Sequence, residues 1–320
     1  FVVLPREELE AFVGHRLSTT SATYRALKAK HMLFDDDSGC ALDLLAIKQR
    51  TRMDHVAEFT ALHIFVVTLR CDHSCHYCQV SRQTEDRSAF DMREEDADCA
   101  LSLAFRSPAR ALKIEFQGGE PLLNFPLIRH IVERAEALNG VENRDLQFVI
   151  ATSLSKLTDE HLAFAKAHRI FFSTSLDGPR GLHEANRPLR GGSSYDAAID
   201  GIARVRRALG AGAVSALMTT SPRSLPHVEA IIDEYVAQGF DSIFLRSLSP
   251  YGFAVRTSLI RRYDADDWFA FYTRGLSHIL DWNRRGVPLR EDFTAILLQK
   301  MFAPRGSSYV DLQSPAGIGI

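Results

Sequence analysis

Apolar residues recur at helical spacing along the first stretch of the chain and then gather into short dense runs. Leu9, Phe12 and Val13 give Arg6 to Val13 one apolar face and predict a helix. Tyr24, Leu27 and Met32 predict a second helix over about 21–32, and the polar run from Asp35 to Gly39 predicts a turn. From residue 63 the pattern changes. Apolar, β-branched runs occupy 63–69, 113–117, 146–151, 170–175, 213–218 and 242–248, with helical patterns between them. Asn124 is placed to cap one such helix, with Pro126 in its first turn, Leu127, Ile128, Ile131, Val132, Ala135 and Leu138 inward, and Gly140 as its stop. Ile199, Ile202, Val205 and Leu209 stripe another, ended by Gly210. Pro226 opens a third, striped by Val228, Ile231, Ile232, Tyr235 and Val236 and ended by Gly239. Two more are predicted over 266–284 and 290–302, the latter striped by Phe293, Ile296, Leu297 and Met301.

Six apolar strands alternating with helices predict an α/β fold with a parallel, helix-covered sheet and right-handed crossovers. Periodicity does not separate an open doubly wound sheet from a curved barrel. At 320 residues the chain is long enough for one large α/β domain with an appendage. The apolar share of 46% and charged share of 24% are ordinary for a globular protein, and a net charge of −2 advertises neither nucleic acid nor an acidic membrane. No stretch approaches the roughly 20 apolar residues of a membrane span, and Phe1 to Leu4 is too short for a secretory signal. The chain starts without Met and stops on a glycine-bearing phrase from Tyr309 to Ile320, which reads as a fragment.

Five cysteines do not make a disulfide scaffold, and cytoplasm is the default location. Cys99 falls within a helical pattern from Glu94 to Phe105, where a small buried hydrophobe is expected, and Cys40 reads as a structural thiol. The other three, Cys71, Cys75 and Cys78, stand within eight residues just past the first strand. A closed zinc site wants four ligands, so this loop needs His73 or His76 to make a zinc knuckle. Three soft thiolates instead suit an iron–sulfur cube with one iron left open.

Gln117-Gly-Gly-Glu-Pro121 ends the second strand, where two glycines let backbone approach a ligand and Glu120 offers a charged acceptor for an ammonium group. Ser175-Leu-Asp-Gly-Pro179 ends the fourth strand, with Ser175 and Asp177 on one face by alternation and Arg187 following. Each has a plain alternative: a strand-to-helix turn, an Asp-Gly-Pro turn, a surface arginine.

In this order and spacing the three elements, Cys71-x3-Cys75-x-Tyr77-Cys78 first, resemble the radical S-adenosylmethionine (SAM) superfamily over roughly residues 60–320. They look most like its SPASM-type subgroup of anaerobic sulfatase-maturating and peptide-modifying enzymes, in particular the radical SAM maturases of the His-Xaa-Ser peptide system. The helical pattern of residues 1–60 reads as a small lead-in; the resemblance implies a partial (β/α)6 barrel over 61–265 and, over 266–320, a helical bridge to a truncated C-terminal extension. It implies a 4Fe–4S cluster on Cys71, Cys75 and Cys78 whose open iron chelates SAM. It places Tyr77 and an apolar residue from the last strand, Leu248 or Leu245, near adenine. Gly118, Gly119 and Glu120 fall at the SAM amino group with Gln117 facing the ligand, Ser175 and Asp177 at the ribose or amino-acid head, and Arg187 at the carboxylate. The implied reaction is reductive SAM cleavage to a 5′-deoxyadenosyl radical that removes hydrogen from a peptide or protein side chain. Implied partners are a peptide such as a His-Xaa-Ser repeat precursor and an electron donor such as flavodoxin or ferredoxin. The alternatives are formylglycine-generating sulfatase maturation and a non-enzymatic iron–sulfur or zinc protein. No residue identifies a catalytic acid or base. Two positions depart from relatives: Asp72, where Asn is common, and Ala151-Thr-Ser-Leu154, where Thr-Asn-Gly is common.

Overall fold

A computed structural model of the protein describes residues 2–36, 38–52, 61–80, 82–84, 86–249, 252–259 and 264–302. The segment from Tyr309 and the side chain of Cys40 lie outside the described residues. The chain divides into two compact units, residues 1–57 with 296–320 and residues 58–295. The first contains helices α1 (Arg6–Val13), α2 (Ala22–Ala29) and α3 (Gly39–Arg52). In α2 the Ser21 hydroxyl accepts the Tyr24 N–H as its N-cap, and Leu27 is buried. That helix stops three residues short of Met32, which is exposed.

The second unit alternates strand and helix: β1 (Leu62–Thr68), α4 (Arg87–Phe90), α5 (Glu94–Ala104), β2 (Ala111–Gly118), α6 (Phe125–Glu142), β3 (Asp145–Thr152), α7 (Asp159–Ala167), β4 (Phe171–Ser175), α8 (Arg180–Asn186), α9 (Ser194–Leu209), β5 (Val214–Leu217), α10 (Val228–Ala237), β6 (Ser242–Ile243), α11 (Phe253–Arg256), α12 (Ala265–Arg284) and β7 (Arg290–Glu291). A last helix, α13 (Asp292–Phe302), crosses the division between units.

Strands β1 to β5 form one parallel sheet in the order β1-β2-β3-β4-β5. Its helix-facing side carries a continuous apolar row. Phe65 pairs with Phe116, Phe116 with Ile150, Ile150 with Phe172 and Phe172 with Val214, and all five are buried. This row and its neighbours meet the inward stripes of α6, α9 and α10 in one core. The opposite side is concave and open at its edges, so the fold is the partial barrel, with ligand-facing groups at the carboxyl ends of the strands.

The sixth predicted strand is cut to two residues, Ser242 and Ile243, which pair with β7 instead of joining the large sheet. The cause lies just beyond Ile243. The Leu245 N–H is taken by the Glu291 carboxylate (3.1 Å), and the Arg246 N–H turns back to the Phe244 carbonyl (2.8 Å), so no ladder continues. Helix α12, predicted as a bridge, falls in the same unit as the sheet, with Phe271 and Ile279 buried. Gly275 lets α12 approach closely: a Cβ there would stand 2.7 Å from Leu245 and from Val228.

Three local predictions change. Asn124 does not cap α6; its amide donates to the Val67 carbonyl (2.9 Å), tying the helix entry to β1. Gly140 does not stop α6, which runs on until Asn143 takes a left-handed conformation at φ 51°. Cys99 is exposed, because the buried stripe of α5 is Ala97, Leu101 and Ala104, and a residue two past Ala97 faces the other way. Among the described residues no helix is long and apolar enough to cross a membrane.

Candidate cofactor site at the carboxyl end of the sheet

The exit of β1 is pinned before the cysteine loop begins. Arg70 makes a buried fork with Asp91 (2.7 and 2.8 Å) and donates to the Leu123 carbonyl (2.6 Å), while the Thr68 hydroxyl donates to Asp91 (2.6 Å). The turn after β2 is clamped to the same exit. The Gly119 N–H donates to the Thr68 carbonyl (2.9 Å) and the Glu120 N–H to the Arg70 carbonyl (2.7 Å). Both glycines are required by this crossing: a Cβ on Gly118 or Gly119 would stand 2.1 Å from a carbonyl oxygen of Thr68 or Arg70. The close approach they permit is to the chain leading into the cysteine loop.

Cys71, Cys75 and Cys78 line one cavity of about 240 Å³. Tyr77, Gln117, Gly118, Gly119, Ser175, Arg187 and Leu248 line it too. Glu120 and Asp177 do not. The Glu120 carboxylate is buried and fully engaged: Oε1 accepts the Leu122 N–H (3.1 Å) and the Thr152 hydroxyl (2.5 Å), and Oε2 accepts the Ser153 N–H (2.9 Å) and hydroxyl (2.6 Å). It braces the ends of β2 and β3, and burial pushes its pKa up against the opposing pull of the Ser153 and Thr152 donors. Asp177 is wholly buried behind the wall. It accepts the Tyr77 hydroxyl, pairs with Arg187 Nε at 3.2 Å and accepts the Thr219 N–H (3.2 Å). Leu176 intervenes as a core residue, and the chain leaves the strand after Ser175, so the alternation that paired Ser175 with Asp177 no longer holds there. The Arg187 guanidinium stands 5.2 Å over the Tyr77 ring. Asp177 therefore positions the arginine and the tyrosine, which reach the cavity in its place. Leu245 is core packing at 0% exposure, leaving Leu248 as the cavity residue of that pair.

The two departures from relatives are bridged by Ser155, just past the second of them. The Ser155 hydroxyl donates to Asp72 (2.7 Å), Ser153 and Ser155 share a hydrogen bond (2.9 Å), and Ser153 reaches Glu120, so the cysteine loop is joined through β3's end to the turn after β2. Asp72 also holds the His73 ring (2.7 Å). Burial alone would raise the Asp72 pKa; His73, Ser155 and Lys156 outweigh it and bring it down to about 2. No local pattern gives either serine a role: Ser155 acquires one from Asp72, 83 residues away, and Ser153 from Glu120 and Ser155. Ser173 and Glu115 also line the cavity, and alternation from Ser175 and Gln117 is the signal that could have found them. Arg246 had no such signal, because its strand pattern does not survive.

The donor set fits an iron–sulfur cluster. Three thiols of one loop share one cavity, and burial pushes Cys71 up to about 12 and Cys75 up to about 11, so both are protonated thiols until a metal takes the place of the proton. His76 lines a separate cavity of about 220 Å³ with Asn186 and Arg223.

The description of the Radical SAM superfamily matches residues 65–242, more than half of the chain. The chain belongs to the radical SAM superfamily. Its cofactors are a 4Fe–4S cluster and SAM. Two curated relatives are similar in sequence. An uncharacterised protein of Methanocaldococcus jannaschii is 28% identical over 189 residues, 58% of this chain and 62% of that protein. One of Methanothermobacter thermautotrophicus is 28% identical over 185 residues, 57% of this chain and 66% of that protein. The match thus spans less than two thirds of either relative's length. Among solved structures, anSMEcpe with bound AdoMet superposes with a TM-score of 0.63 at 17% identity, over 77% of this chain and 67% of that one. Streptococcus suis SuiB bound to its precursor peptide SuiA gives 0.55 at 14% identity, over 89% and 60%. These two likenesses are of fold.

Proposed function

We propose that this chain is the catalytic barrel of a radical SAM enzyme that modifies a peptide or protein side chain. What supports this is the cavity: the three cysteines, Gly118, Gly119, Ser175 and Arg187 share it at the carboxyl end of a sheet whose concave side stays open. When bound, the cluster and SAM supply reductive cleavage of a sulfonium and hydrogen abstraction from an unactivated carbon. Cys71, Cys75 and Cys78 hold the cluster as thiolates. The backbone of Gly118 and Gly119 and the Arg187 guanidinium, aimed by Asp177, take the amino and carboxylate ends of SAM. Ser175 serves its ribose, and Tyr77 and Leu248 its adenine. Gln117 faces the reacting ligand. Glu120 acts at one remove, by holding the glycine turn. A peptide substrate agrees with the fold shared with SuiB, whose structure holds a precursor peptide. Within that class we favour the SPASM-type peptide maturases, with a His-Xaa-Ser repeat precursor as first candidate, a flavodoxin or ferredoxin as electron donor and a cytoplasmic location.

A second reading, a plain divalent-metal protein, has one observation in its favour: the ligand atoms of Cys71, Asp72 and His73 lie within 4.8 Å of one another. Anaerobic reconstitution separates the two. The proposed enzyme takes up about four irons per chain and, reduced in the presence of SAM, releases 5′-deoxyadenosine. Cys75→Ala loses both. One tightly bound zinc per chain, with no SAM cleavage, would sink the proposal. Mass spectrometry of co-expressed peptides then reads the modification.

A further inference from the structure

On the concave side of the sheet, one cross-strand row mixes a single carboxylate with apolar neighbours. Ile64 of β1 pairs with Glu115 of β2, Glu115 with Val149 of β3, and Val149 with Phe171 of β4. Ile64 and Phe171 are each 41% exposed, in contrast to the fully packed row one residue further along each strand. Glu115 is half-buried and lines the cavity. Its Oε1 accepts the Gln117 amide (2.6 Å), which fixes the carboxylate's orientation; among the described residues Glu115 makes no ion pair, and Oε2 has no protein donor. Lys113, two residues earlier on the same face, is exposed and does not reach it.

The Glu115 carboxylate lines the cavity with one oxygen, Oε2, that has no protein donor among the described residues. A ligand that covers it without bringing a positive group leaves an uncompensated charge between apolar side chains, which is costly. A ligand with a polar stem would instead waste the contacts offered by Val149 and Phe171. Lysine and arginine side chains satisfy both demands, an aliphatic stem ending in a cation, while an acidic side chain is repelled. Resting on the function proposed above, we propose that Glu115 selects a substrate segment carrying a lysine or arginine. The stem of that residue lies along Val149 and Phe171 and its charge meets Glu115, with Ile64 walling the far side of the carboxylate, one row deeper than Gln117 and away from the cysteine loop.

The test is titration of the reconstituted holoprotein, with SAM present, with capped pentapeptides Gly-Gly-Xaa-Gly-Gly in which Xaa is lysine, norleucine or glutamate. The lysine peptide is expected to bind about tenfold more tightly than the norleucine peptide and the glutamate peptide least well, in line with a partly desolvated charge pair. Glu115→Gln removes the preference for lysine over norleucine, and Glu115→Lys reverses the order so that the glutamate peptide binds best. The reversal is a gain that a misfolded variant cannot produce. Equal affinities for all three peptides, no binding of the lysine peptide, or a lysine preference that survives Glu115→Gln overturns the assignment. So does loss of SAM binding in Glu115→Gln with the preference intact, which gives the carboxylate to SAM. Release of 5′-deoxyadenosine by the unaltered protein is measured separately: its absence counts against the proposed function, whereas turnover without a charge preference counts against Glu115 alone.

Discussion

Asp177 and His183 form a buried polar centre behind the cavity wall. Replacing Asp177 with asparagine keeps its shape and removes the charge that faces Arg187, so Asp177→Asn leaves a mostly buried guanidinium unpaired. The expected cost is about 3–5 kcal/mol in a urea titration, and a variant as stable as the parent would remove Asp177 from its positioning role. His183 is 2% exposed, and its Nδ1 accepts the Asp177 N–H (3.2 Å), a bond that requires the neutral ring. Burial brings its pKa down to about 4 from 6.5. Between those two pH values the unfolded chain binds a proton that the folded one refuses. The contribution is therefore fully present above about pH 6.5 and is lost as pH falls towards 4, by about 3 kcal/mol in all. Unfolding midpoints measured from pH 7 to pH 4 check this, and His183→Gln should show a shallower decline. At this scale the sequence was a good guide to which residues gather, since cysteines, glycines, Ser175 and Arg187 carry their chemistry in their spacing. It did not tell that Glu120 and Asp177 are buried and lie outside the cavity lining. A carboxylate at a strand end reads the same whether it points into the cavity or braces the wall, and only its donors distinguish the two.

At the scale of elements, the crossing of β1's exit over the β2 turn is the tightest constraint on the site. Gly119→Ala puts a Cβ 2.1 Å from the Arg70 carbonyl, one residue before Cys71. One of the two backbones must move, at a cost of about 1–3 kcal/mol. Iron loading should fall well below that of the parent while far-UV circular dichroism is retained; full loading would show that the loop is indifferent to this contact. Strand and helix identities were legible where an apolar period ran uninterrupted, as in β2, β3 and α9. They failed where a long-range side chain intervened. Glu291 ends β6 by capturing the Leu245 N–H across 46 residues, and no local pattern announces that bond.

For the molecule as a whole, the sheet has two faces of unequal consequence. Phe116 is fully buried in the helix-facing row, so Phe116→Ala should cost about 3–5 kcal/mol. Val66 on the concave face is 38% exposed, and Val66→Ser should stay within about 1 kcal/mol. Guanidinium unfolding of the two variants measures the difference, and similar losses would mean that the concave face is packed like the other. By itself the sequence determined the order of strands and helices, the cysteine tripod and the family, because apolar period and ligand spacing are properties of neighbours along the chain. Tertiary structure alone decided which face of each strand meets helices, which carboxylates reach the cavity, and that Asp72 and Ser155 touch. Those outcomes depend on what a folded chain brings within hydrogen-bonding reach from far away in sequence, where burial makes each unpaired charge or donor count.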